Sequence, residues 1–126
     1  MAENRNEIKL KTGDMGEVQV ADEVIAIIAG LAATEVEGVT SMYGNITKDL
    51  VSRLGIKNLS KGVRISVGED SRVAVDLTLN IAYGYTIPDV SAKVQEKVRT
   101  AIENMTGLEV SGVNIRIAEV DMKQPV

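Results

Sequence analysis

The sequence predicts an α+β fold: a two-layer sandwich, with a mostly antiparallel sheet covered by two longer helices. Two observations in the second half of the chain carry this. Val63, Ile65 and Val67 alternate with Arg64 and Ser66, and a longer alternation runs from Val73 to Tyr83. The short polar link Gly68-Glu69-Asp70-Ser71 joins them as an antiparallel hairpin would. Beyond it, Val90, Val94, Val98, Ala101, Ile102 and Met105 fall on one helical stripe, flanked by Lys93, Glu96, Lys97 and Glu103. Strands with one apolar face need a cover, and amphipathic helices supply it.

Taken in order, residues 1–14 are polar, lack a sustained period and read as a flexible tail. Residues 15–122 read as one domain. Residues 123–126, with Pro125, read as a C-terminal tail. Glu17-Val18-Gln19-Val20 alternates as a short strand. Asp22 is positioned as an N-cap. A helix would then run to about Val36, with Gly38 as its stop. Val39 to Tyr43 predicts a short strand, broken by Gly44-Asn45. Ile46, Leu50, Val51 and Leu54 share helical spacing and predict a short helix ended by Gly55. Residues 56–62 read as a loop. Pro88 fits the first turn of the amphipathic helix, which Thr106-Gly107 ends. Val113, Ile115 and Ile117 alternate as a final strand.

The length of 126 residues, 44% of them hydrophobic, suffices for a core without staples. The chain has no Cys, His, Trp or Phe. Disulfides, thiolate nucleophiles, Cys or His metal sites and His-assisted nucleophiles are therefore excluded. Three Tyr are the only aromatics, too few for a base-stacking platform. A net charge of −4 opposes broad attraction to nucleic acid or anionic lipid. No secretory signal is visible, and the most apolar run, Val24 to Ala33, is ten residues long. A membrane-spanning helix needs about 20. The expectation is a cytoplasmic, non-enzymatic protein with no cofactor and no metal.

Candidate sites are few. No phosphate-binding glycine motif is present. Tyr83-Gly84-Tyr85 precedes a helix, but Pro88 removes an amide that an anion site would use. Glu35 and Glu37 diverge at a helix end, Glu69 and Asp70 sit in a turn, and Asp76 lies mid-strand, so no carboxylate pair is signalled. Lys48, Arg53, Lys57, Lys61 and Arg64 form the densest basic stretch, either an anion-binding surface or a solvated face. The helix from Val24 to Ala33 is apolar all round. Its outer side would carry Ala26, Ala33 and Ile27 or Gly30. Two accounts stay open: burial under the tail or under residues 44–62, or an exposed small-residue surface for self-association or a partner helix. Tyr83 continues the apolar strand face and reads as core. Tyr85 lies in a loop and is the better contact residue.

Gly16-Glu17-Val18-Gln19-Val20, the run Val24–Ala33 and Glu35-Val36-Glu37-Gly38-Val39 form an ordered set. Lys61-Gly62-Val63, Tyr83-Gly84, Ile87-Pro88-Asp89-Val90, Val94-Gln95 and Met105-Thr106-Gly107-Leu108 extend it, and Val113-Asn114-Ile115 closes it. Over residues 15 to 121 this set resembles the alkaline shock and general stress protein family of Gram-positive bacteria. The resemblance implies a small non-enzymatic protein of cell-envelope homeostasis and alkaline or general stress. It would sit at the inner face of the membrane through a membrane-anchored partner, or self-assemble as a homo-oligomer, without inserting in the membrane or binding nucleic acid. It brings no catalytic residues. The alternatives are an anionic-ligand module built on the basic stretch, and a small-molecule or lipid-linked regulator with a ligand between the apolar helix and the sheet.

Overall fold

A computed structural model describes residues 7–42, 61–68 and 70–122, with 11–13 as backbone only. The first element is a strand, β1 (Glu7–Gly13), paired antiparallel with β2 (Gly16–Ala21). Residues 7–13 were expected in a tail, and that expectation is corrected. Ile8 and Leu10 alternate with Glu7 and Lys9. Ile8 is buried in the main core, and Leu10 packs against it. Two apolar residues are too short a period to announce a strand alone. Pairing along β2 and burial of Ile8 make it one. Residues 1–6 and 123–126 lie outside the described residues.

Helix α1 (Asp22–Thr34) follows directly. Its N-cap position is Ala21, so the expectation that Asp22 caps it is corrected. Asp22 and Glu23 stand in the first turn, where acidic groups complement the exposed amides. The helix ends at Thr34, before the expected Val36. Glu35 and Val36 donate their amides to the Ala32 and Ala33 carbonyls, tightening the last turn. Gly38, at φ +102°, then redirects the chain into β3 (Val39–Met42). A Cβ at Gly38 would lie 2.8 Å from Val90 Cγ2 and 2.9 Å from Tyr85 Cδ2. Both conformation and space therefore require glycine there. The predicted helix over Ile46–Leu54, with Tyr43 before it, lies outside the described residues.

β4 (Val63–Val67) and β5 (Val73–Ala82) form the expected antiparallel hairpin, in register from Val63↔Leu77 to Val67↔Val73. Its turn is held by Gly68 N–H donating to Arg72 O and by Asp70 Oδ1 accepting from Arg72 N–H. β3 also pairs antiparallel with β5, at residues 79–81. β3 and β4 therefore lie end to end along one edge of β5. Helix α2 (Ile87–Thr106) carries Pro88 in its first turn and ends at Gly107 in the left-handed region, φ +78°. The last strand, β6 (Val110–Asp121), runs along the other edge of β5 and parallel to it. A parallel neighbour needs a crossover, which α2 provides. Three of the four strand pairings are antiparallel, as the sequence predicts.

The inner face of β5 is Val73, Val75, Leu77, Leu79 and Ile81, all at most 1% exposed. Both helices cover it. α2 contributes Val90, Val94, Val98 and Ile102, spaced four residues apart. α1 contributes Ile25, Ala29, Ala32 and Ala33. Gln95 Nε2 donates to Val113 O, and Glu103 Oε2 accepts from Val110 N–H, fastening α2 to β6.

Candidate interaction surface

The residues singled out on α1 are not an outer surface. Ala26 is 5% exposed, Ala33 is 0% exposed and Gly30 is buried, while Ile27 is half-buried. Of the two accounts the sequence leaves open, the exposed small-residue surface is therefore corrected, and burial is the one that fits. α1 is contacted by β2, β3, β4, β5 and α2, so more than one side of it is covered. An all-round apolar helix built from small residues suits that position, because small side chains let several neighbours approach.

Exposed apolar surface occurs elsewhere. Ten large hydrophobic side chains are exposed among the described residues, and five of them sit at one end of the sheet. They are Tyr83, Tyr85 and Ile87, on the chain leading from β5 into α2, and Val120 and Met122, at the end of β6. The parallel register aligns Ile81 with Val120, and Tyr83 N–H donates to Asp121 O at 2.8 Å. This places Tyr83 beside the end of β6. Tyr83 is 61% exposed, so its expected core position is corrected. β5 stops at Ala82, one residue before the alternation would bury the ring.

Tyr85 is exposed, as a loop contact residue should be. Its hydroxyl donates to Glu37 Oε2 at 3.1 Å. This hydrogen bond, and the carboxylate's charge, raise its pKa above the ordinary 10.0. The bond ties the exit of α1 to the entrance of α2 and holds the ring in place. An aromatic side chain already fixed loses little freedom when a partner covers it.

The carboxylates flagged in the sequence do not converge. Glu35 pairs with Lys97 at 3.7 Å, Glu37 with Tyr85, Asp70 with the turn and Arg72, and Asp76 accepts from Asn114 Nδ2 at 2.9 Å. Glu69 lies outside the described residues. Among the described residues, no group of three acidic side chains could hold a metal ion. No helix among them is long and apolar enough to cross a membrane. Of the basic stretch, Lys48, Arg53 and Lys57 fall outside the described residues. Arg64 lies on the outer face of the sheet, and Lys61 just before β4; both line a groove of about 590 Å³. Arg116, from the far strand, lines it too. Sequence reasoning missed Arg116, because only the β5–β6 register brings it there.

The family profile of the alkaline shock protein 23 family, described as having a cell envelope-related function, matches residues 10–122. The chain is 41% identical over 106 residues to the uncharacterized protein YqhY of Bacillus subtilis, covering 84% of this chain and 78% of that one. It is 34% identical to the uncharacterized protein YloU of the same organism, covering 94% and 98%. A Streptococcus pyogenes protein named stress response regulator gls24 homolog is 29% identical, with 86% of this chain and 61% of that one covered. No solved structure matches.

Proposed function

The chain belongs to the alkaline shock protein 23 family, whose function is cell envelope-related, and from that premise we propose a non-enzymatic interaction protein of cell-envelope homeostasis and stress response. It acts by self-assembly or by docking to a membrane-anchored partner. The surface it uses is the end formed by Tyr83, Tyr85, Ile87, Val120 and Met122.

One observation carries this: among the described residues, half of the exposed large apolar side chains gather there, two of them tyrosines. Interface hot spots favour such anchors. The stress association rests on the name of the gls24 homolog. A ligand between α1 and the sheet gains no support, because that interlayer is filled by Ile25, Ala29, Leu77, Leu79 and their neighbours.

Light scattering over a concentration series, at two salt strengths, tests the assembly. The mass should climb with concentration in the native protein. It should stay that of a monomer in Tyr83→Asp, with circular dichroism unchanged. If the native protein stays monomeric, capture of a membrane protein by the native chain but not by Tyr83→Asp would support docking. A variant that assembles and captures like the native protein would sink the proposed surface.

A further inference from the structure

The outer face of the sheet carries a second feature. Among the described residues, Lys9, Arg72, Lys97 and Arg99 each have an acidic partner within 4.0 Å. Lys61, Arg64, Lys93 and Arg116 have none among the described residues. Three of those four unpaired cations, Lys61, Arg64 and Arg116, line the same groove. Folding brings them together from distant parts of the chain. Arg64 on β4, Asp76 on β5 and Asn114 on β6 form one row across the sheet, and Thr78 and Arg116 stand side by side in register two residues further along.

We propose that this groove binds a small organic phosphate ester. Among the described residues the lining contains three cations and one carboxylate, a net charge of +2. A phosphate monoester carries about −1.5 to −2 at neutral pH and so matches it. Two guanidiniums offer the paired donors that a phosphoryl group accepts, and Thr78 and Asn114 add side-chain donors. Asp76 is occupied by Asn114 rather than by Arg64, which leaves the guanidinium available. A groove of about 590 Å³ exceeds what a bare phosphate needs. It falls inside the range of roughly 300–1,000 Å³ typical of small-molecule sites. Ala118 and the aliphatic stems of Arg64 and Arg116 supply apolar wall for the ester's organic part, while the side chains of Val63 and Ile115 face the core.

The site is independent of the apolar end used for assembly, so either can fail without the other. Phenyl phosphate is a suitable probe. In a titration followed by amide and guanidinium nitrogen–proton spectra, saturable shifts are expected at Arg64, Thr78, Asn114 and Arg116. Arg116→Gln should weaken binding by about tenfold or more. Asp76→Asn, which removes the negative charge of the described lining, should tighten it. Both sites are exposed, and unchanged thermal melting checks that the variants fold. Added salt should weaken binding throughout. Absence of saturable shifts at low salt overturns the proposal. So does an affinity indifferent to both substitutions. Sedimentation with phosphatidylglycerol vesicles without phenyl phosphate binding also overturns it, because the face would then be a lipid-contact patch.

Discussion

The two helices pack on the same sheet and reach it by different means. α2 is amphipathic: Val90, Val94, Val98 and Ile102 face the core, and Lys93, Glu96 and Lys97 face water. α1 is apolar nearly all round and buries Ile25, Ala26, Ala29, Gly30, Ala32 and Ala33. A single apolar stripe means one covered side, whereas a helix without a polar side has neighbours on several. In this molecule the more apolar helix is the better hidden of the two. Surface available to a partner comes from the ends of strands and the loop between them.

The sharpest way to break this contrast is to place the same charge on each helix. Ala33→Glu would bury an unpaired carboxylate and should cost about 3–5 kcal/mol. Lys93→Glu, on the exposed side of α2, should stay within about 0.5 kcal/mol. Urea unfolding of both variants measures the difference. Two equally small effects would mean that α1 has an open side after all.

A smaller effect is expected where the helices meet. Gly38→Ala introduces a side chain at φ +102° and against Val90 and Tyr85. It should cost about 2 kcal/mol. The thermal midpoint should fall while the far-ultraviolet spectrum is kept. An unchanged midpoint would show that the turn after α1 has slack.

The smallest effect concerns Tyr85, whose neutral hydroxyl donates to Glu37. Its folded pKa is raised, so the contact contributes at pH values below the ordinary 10.0 and is lost as pH rises through the folded value. Glu37→Gln removes the charge and should move the Tyr85 titration back toward the ordinary value. Tyrosine ring carbon shifts followed against pH read this directly. A titration unmoved by the substitution would show that the bond is not formed in solution.

Much of this fold was legible in the sequence. The β4–β5 hairpin and α2 each satisfy periodicity, turn chemistry and end signals together, and agreement between levels is what makes a local pattern reliable. β1 was not legible, because Ile8 and Leu10 make too short a period and depend on β2 for pairing. The pairing of β6 with β5 was not legible either, since alternation in Val113, Ile115 and Ile117 carries no direction. That omission hid Arg116 from the basic groove. Tyr85 was placed correctly because a loop position needs only the adjacent Gly84 and Pro88. Tyr83 was misplaced because alternation does not say where a strand stops.

β5 pairs with β3, β4 and β6, which makes it the strand on which the whole sheet depends. During synthesis, α1 is complete at Thr34, yet its cover needs β5, ending at Ala82, and α2, ending at Thr106. At roughly 5–20 residues per second, the ribosome takes several seconds to deliver those residues. Through that interval a helix without a polar side has no sheet to lie on. Among the described residues, the hairpin β1–β2, made just before it, is the sheet element present to shield it. A chaperone that recognises apolar nascent segments would find its target here, before any of the folded protein's own surfaces exist.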